Sequence, residues 1–160
     1  MAQMMENQGE VYSFDLYDHK IKLINDGAKR LGIDIIKTEE RDARKPREEL
    51  LGKVDRVLCD VPCSGFGVFA KKPELRYKDP KASEALPDIQ FAILNSASQY
   101  VKIGGKVVYS TCTLLPQENE ENVARFLSQN NHFELMEQRT LYPDKDGTDG
   151  FFYALAERIR

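Results

Sequence analysis

Cys63 and Cys112 each stand just past the end of an apolar, β-like run, the first in Asp60-Val61-Pro62-Cys63-Ser64-Gly65 and the second in Ser110-Thr111-Cys112-Thr113. The first patch joins a carboxylate, a rigid proline turn and a thiol, followed by a flexible glycine. The second sets its thiol behind two hydroxyl residues. Such thiols suit attack on a pyrimidine ring. Carbon 5 of cytosine is not nucleophilic. A thiolate that adds to carbon 6, with an acid stabilising the ring charge near nitrogen 3, lets carbon 5 take an activated methyl group before the enzyme eliminates itself. A free thiol with a pKa near 8.5 is only a few per cent ionised at neutral pH, so its surroundings have to lower that value. The two cysteines lie roughly 50 residues apart, about one crossover helix with a long loop, so adjacent strands can carry both into one crevice. Cys59 alternates to the other side of its strand from Asp60 and reads as core.

Other strand ends carry acids. Asp15 closes an apolar run and is placed either to accept both hydroxyls of a ribose or to cap the helix that begins near Asp18, and spacing leaves both open. Asp42, in Glu39-Glu40-Arg41-Asp42-Ala43-Arg44, suits an adenine amino group or a solvated charged loop. Arg41, Arg44, Lys45 and Arg47 form a basic patch that fits a phosphate backbone or an exposed loop equally.

Positioning these groups requires strands that end where they stand. Residues 11–15, 33–38, 54–60 and 106–111 read as strands rich in Val, Ile, Leu or Tyr. Ile21, Ile24, Ala28 and Leu31 recur at helical spacing up to Gly32. A second helix takes Pro87 in its first turn, buries Ile89, Ile93 and Ala97, and ends at Gly104-Gly105. Pro116 opens a third, with Glu118, Glu120 and Glu121 favoured by the helix dipole and Val123, Phe126 and Leu127 facing inward. Residues 133–137 and 151–156 read as two last strands. The alternation predicts an α/β, doubly wound, largely parallel sheet with an antiparallel strand at its end.

A chain of 160 residues suits a single domain. It has no run of roughly 20 apolar residues and no N-terminal signal pattern, so a soluble, cytoplasmic protein away from membranes is expected. Three cysteines are an odd number and imply free thiols, and His19 and His132 lie far from any cysteine, so no metal site is expected. A net charge of -3 disfavours nonspecific polyanion binding by the whole surface and leaves a local basic face for RNA.

The motifs resemble those of the Sun-type RNA (cytosine-5) methyltransferases over nearly the whole chain. Asp60-Val61-Pro62-Cys63-Ser64-Gly65 is similar to the family's Asp-Ala-Pro-Cys-Ser motif, with Val61 in place of Ala. Ser110-Thr111-Cys112-Thr113 with Pro116-Gln117-Glu118-Asn119 resembles its second cysteine motif, and Asp149-Gly150-Phe151-Phe152-Tyr153-Ala154 its closing strand. The resemblance implies a Rossmann-like class I S-adenosylmethionine-dependent methyltransferase fold that methylates carbon 5 of a cytosine in ribosomal RNA. It implies Cys112 as the nucleophile, Cys63 as the residue that assists release, and Asp60 against the base. It assigns Asp15 to the ribose and Asp42 to the adenine of S-adenosylmethionine, with Asp60 also among the cofactor contacts, and sets Pro62, Lys71, Lys72 and Arg76 on the RNA side.

The family's Ala-Pro-Gly-Gly-Lys loop and the strand before it find no match here. Residues 1–160 therefore read as the C-terminal part of a catalytic domain, with cofactor binding weak or absent and methyl transfer by this part alone weak or lost. Its strands either pair across the gap or leave a cleft that favours self-association. Two other readings stand beside this one: a DNA-type cytosine methyltransferase in which Cys63 attacks, and a noncatalytic RNA-binding or assembly remnant.

Overall fold

In the computed structural model, which describes residues 1–77 and 79–160, the chain divides into two units, Met1–Ala43 and Arg44–Arg160. The first unit is a β-α-β element. Val11–Asp15 forms β1, Asp18–Arg30 forms α1 and Ile36–Glu40 forms β2. β1 and β2 pair in parallel from Val11↔Ile36 to Asp15↔Glu40. Helix α1 buries Ile21 and closes where Gly32 takes a positive φ of 65°. The N–H of Ile33 then returns to the carbonyl of Ala28 at 2.9 Å, satisfying one of the helix's terminal carbonyls. That return explains why β2 starts at Ile36 and not at residue 33: the backbone of Ile33 is committed to ending the helix.

The second unit holds the larger sheet. Val54–Asp60 forms β3, Leu86–Ser98 α2, Val101–Thr111 β4, Glu120–Gln129 α3, Phe133–Leu141 β5, Pro143–Asp146 the single turn α4, and Phe151–Arg158 β6. The order across this sheet is β3-β4-β6-β5. β3 and β4 are parallel, while β6 runs antiparallel to both its neighbours. The expected single, largely parallel sheet is thus two sheets, the larger one mixed, and β1 and β3 share no ladder among the described residues.

Three sequence expectations shift. The Gly104-Gly105 pair does not end α2, which stops at Ser98, but bends β4 from within. Gly104 has a positive φ of 75°, and a Cβ on Gly105 would lie 2.9 Å from the carbonyl oxygen of Lys102 and 3.0 Å from that of Asp55. Across this bend the ladder slips from Val54↔Val101 to Arg56↔Lys106, a bulge that needs the glycines. Helix α2 carries Pro87 in its first turn as read, but the side chains it buries include Gln90, Leu94 and Ala97, a face turned one position from the Ile89 and Ile93 stripe. Pro116 opens a short 3-10 turn, Pro116–Glu118, before α3 starts at Glu120.

Between the helices and the sheet lie Leu94, Val107, Tyr109, Val123, Phe126, Phe152 and Ala154, all buried. Tyr109 meets the Phe152 ring edge-on with centroids 6.3 Å apart, and Phe126 leans on Phe133 at 5.4 Å, geometries that aromatic quadrupoles favour. Among the described residues no helix is long and apolar enough to cross a membrane. Truncating the central ring, Phe126→Ala, is expected to cost about 3–5 kcal/mol in urea unfolding; a loss below about 1 kcal/mol would show that the ring bears little of this core.

Candidate active site

The register of β3 on β4 brings the two cysteines together. Asp60 faces Ser110 in the parallel ladder, and the N–H of Val61 extends it by one bond to the Ser110 carbonyl, 3.3 Å. Each chain then turns at the carboxyl edge of the sheet, and Cys63 Sγ meets Cys112 Sγ at 2.9 Å. The N–H of Cys112 also donates to Cys63 Sγ at 3.2 Å. Both residues are partly exposed.

The turns are stitched to one another. Ser64 Oγ and Thr113 Oγ1 share a hydrogen bond of 2.7 Å in the interior. Asn119 straddles Cys112: its Oδ1 accepts from the Thr111 hydroxyl at 2.6 Å, and its Nδ2 donates to the Thr113 carbonyl at 3.0 Å. Glu118 and Gln90, both buried, reach the other turn. Glu118 Oε2 accepts from the N–H of Ser64 at 2.9 Å and from Gln90 Nε2 at 2.7 Å, and the same Nε2 donates to the Pro62 carbonyl at 2.9 Å.

A third segment closes on the pair. The N–H of Gly67 donates to the Cys112 carbonyl at 3.0 Å, and the N–H of Gly150 donates to the Gly67 carbonyl at 2.7 Å. No side chain fits at this crossing, because a Cβ on Gly67 would stand 2.1 Å from the Gly150 carbonyl oxygen and 2.9 Å from that of Cys112. Glycine here serves close approach of backbones.

The charges around the sulfurs divide their roles. Donation from the Cys63 thiol stabilises a thiolate on Cys112, against burial and the nearby Asp60 carboxylate, and Lys72 adds attraction, so the Cys112 thiol is lowered to about 7. Cys63 moves up, because its proton is the one held between the sulfurs and burial disfavours its ionisation, although the Cys112 N–H pulls the other way. Cys59 lies in the core, and burial pushes its thiol up to about 12.

Of the residues read from the sequence, Asp60, Cys63 and Cys112 gather at one edge. Asp60 is exposed there and accepts a long hydrogen bond from Ser110 Oγ at 3.4 Å. Pro62 is exposed in the same turn. Lys72 is close enough to bias Cys112, whereas Lys71 is engaged in an ion pair with Asp149 at 2.5 Å, and Arg76 is exposed on the 3-10 turn Pro73–Tyr77. Asp15 and Asp42 belong to the first unit. Asp15 ends β1 without capping α1; its Oδ1 accepts from the N–H of Tyr17 at 3.1 Å and its Oδ2 lies 3.7 Å from Lys20 Nζ. Asp42 is half-buried just past β2. Of the basic patch, Arg41 sits over the Phe14 ring and lies 3.7 Å from Glu39, and in the second unit Arg47 pairs with Glu49 at 3.4 Å.

Sequence reading missed the polar support. Glu118 reads as one more acid at a helix start, yet it is 1% exposed. The available signal was Gln90, a polar residue between Ile89 and Phe91 and four positions before Leu94, where an apolar side chain is the ordinary occupant.

A mixed sheet of this order, with reactive groups on turns at the strand ends, is the fold of class I S-adenosylmethionine-dependent methyltransferases. Residues 1–157 match the family described as 16S rRNA methyltransferase RsmB/F, and the chain belongs to that family. It is 42% identical over 171 residues to the protein named "Probable ribosomal RNA small subunit methyltransferase B" of Bacillus subtilis, a match covering 95% of this chain and 38% of that protein. With the tRNA (cytosine(72)-C(5))-methyltransferase of Pyrococcus horikoshii it shares 33% identity over 100% of this chain and 43% of the relative. The chain therefore spans about two fifths of the length of these curated relatives. Among solved structures, PH0851 superposes with a TM-score of 0.94 at 35% identity, covering 98% of this chain and 38% of that one. NSun6 from Pyrococcus horikoshii, solved with SFG, gives 0.86 at 33%, covering 99% and 44%.

The split between the sulfurs has a direct readout. A lowered thiol is ionised at lower pH, so iodoacetamide is expected to modify Cys112 at a rate that rises through about pH 7 and levels off above it. Cys59 is expected to stay unmodified until the chain unfolds. Peptide mapping across a pH series checks both, and a Cys112 midpoint near the ordinary value of about 8.5 would contradict the assignment.

Proposed function

We propose that this chain is the base-handling part of an enzyme that transfers a methyl group from S-adenosylmethionine to carbon 5 of a cytosine in ribosomal RNA. The observation that carries this reading is the contact of Cys63 and Cys112 at adjacent strand ends, in a member of a 16S rRNA methyltransferase family.

Cys112 is the attacker. Its thiolate forms a bond to carbon 6, and the ring electrons displaced toward nitrogen 3 make carbon 5 the nucleophile that takes the methyl group. A water molecule or solvent base takes the carbon 5 proton, and the sulfur–carbon bond breaks with its electron pair returning to Cys112, which restores the aromatic ring and frees the thiolate. Cys63, which retains its proton while Cys112 is charged, sits within reach of the adduct and assists release. Asp60, at the carboxyl end of β3, faces the base, and the exposed Pro62, Lys72 and Arg76 lie on the RNA side. Lys71 joins them only by leaving Asp149.

The cofactor supplies an electrophilic methyl group. Asp15 fits it by chemistry: a carboxylate at a strand end with one protein N–H bond and spare lone pairs suits the two hydroxyls of a ribose. Asp42 is assigned to the adenine, and Asp60 to the junction of cofactor and base. Residues 1–160 act as one partial catalytic region located in the cytoplasm, where ribosomal RNA and reduced thiols are found together.

The test is a covalent trap. The chain is incubated with small-subunit ribosomal RNA and S-adenosylmethionine and resolved under denaturing conditions. Cys63→Ser is expected to accumulate a protein–RNA adduct, because release is slowed, and Cys112→Ser to form none. An adduct that survives Cys112→Ser and disappears with Cys63→Ser would instead favour the DNA-type arrangement. Absence of any adduct in wild type and Cys63→Ser alike, with RNA still bound, would favour a noncatalytic RNA-binding role.

A further inference from the structure

Glu118 sits where no step of methyl transfer requires a carboxylate. Its side chain is buried, one oxygen accepts from both Ser64 N–H and Gln90 Nε2, and the other, Oε1, has no hydrogen-bond partner. Burying a carboxylate is costly unless it is well hydrogen-bonded. A core position would ordinarily hold an apolar residue, so the presence of Glu118 calls for a reason in the bonds it makes.

Those bonds converge on the cysteines. Ser64 directly follows Cys63, and Pro62, whose carbonyl is held by the same Gln90 amide, directly precedes it. The Glu118 main-chain carbonyl accepts the Tyr109 hydroxyl at 2.6 Å, which fixes Glu118 to β4 three residues before Cys112. Asn119, its neighbour in sequence, grips both residues that flank Cys112. Glu118 and Asn119 therefore anchor two turns that no covalent link joins, one by each side chain.

We infer that Glu118 is a positioning residue for the thiol pair: its Oε2 oxygen, bridged by Gln90, holds the Cys63 turn at the distance at which the Cys63 thiol can donate to Cys112. What is required of the side chain is the double acceptor and not its charge. Withdrawing the acceptor removes the bonds that Ser64 N–H and Gln90 Nε2 make to Glu118, lets the Cys63 turn relax, and removes the donor that favours the Cys112 thiolate. The consequence for catalysis rests on the methyl-transfer reading, but the positioning itself is measurable without RNA or cofactor.

The experiment is the pH profile of Cys112 alkylation by iodoacetamide in the 160-residue chain, with circular dichroism as the check on folding. Glu118→Ala is expected to move the midpoint from about 7 toward the ordinary thiol value of about 8.5, and to slow modification at pH 7 about tenfold. Glu118→Gln presents an acceptor in the place of Oε2 and an amide in the place of the unpartnered oxygen, so it is expected to restore the wild-type profile. A structural role alone predicts lower stability with an unmoved midpoint. A folded Glu118→Ala chain that titrates like wild type would overturn the inference, and so would a Glu118→Gln chain shifted as far as Glu118→Ala.

Where Glu118→Ala does not fold, Gln90→Met decides. It removes both donations from Nε2 while leaving Glu118 in place, and is expected to raise the midpoint by a smaller amount; an unchanged midpoint overturns the inference. Failure of the wild-type and Cys63→Ser chains alike to form an RNA adduct would count against the methyl-transfer reading and leave this profile standing.

Discussion

The parallel ladder between β3 and β4 is the constraint from which the site follows. Two strands that run in the same direction present their carboxyl ends at one edge of the sheet, and loops leaving that edge lie side by side without further guidance. With Asp60 opposite Ser110, both turns start at the same height, and Cys63 and Cys112 need only a few residues to meet. A slip of one residue would send every side chain of a strand to the other face. The alternation of buried Val107, Tyr109 and Thr111 along β4 prevents this. Apolar packing on one face thus sets the position of polar chemistry at the end of the strand.

Packing alone does not fix the turns. Past the strand ends the backbone leaves the ladder, and each residue held in one conformation gives up roughly 1–2 kcal/mol of entropy. The interior polar groups of Gln90, Tyr109, Thr113, Glu118, Asn119 and Asn122 offset that cost by bonding to turn backbone and to each other. Tyr109 belongs to both systems, with its ring against Phe152 and its hydroxyl on the Glu118 carbonyl. Burial raises the phenol well above its usual range, which keeps it a neutral donor. Hydrogen bonds in such a low-dielectric interior are stronger than in water, which suits a site whose two sulfurs must stay within contact.

Much of this was legible in the residues. β1 and β3 were readable to the residue, because each is an apolar run with an acid at its end, and the parallel pairing of β1 with β2 and of β3 with β4 followed from the alternation of strands and helices. The thiol pairing was legible from the spacing of two similar patches. The diglycine in β4 was not, since glycine marks a helix end and a strand bulge equally well, and only the approach of the Lys102 and Asp55 carbonyls separates them. Nor was the inward side of α2, because hydropathy counts Ile89 and Ile93 as the buried stripe while hydrogen bonding selects Gln90. Glu118 was hidden for the same reason: propensity describes a residue's neighbours along the chain, and its partners come from three other elements.

The crossing of Gly67 and Gly150 has a consequence for the order of events during synthesis. Strand β6 follows every other strand in the chain yet lies between β4 and β5 in the sheet, so β4 keeps an open edge until residues 151–158 have been made. Contacts of this sequence separation form late, because the loop they close must be ordered before they return any stabilisation. The turn that carries Cys63 can settle against β4 early, but the Gly67 carbonyl has no N–H from Gly150 to accept until the ribosome has passed residue 150. A nascent chain therefore holds both cysteines while residues 113–150 are still being made, before the wall beside them exists.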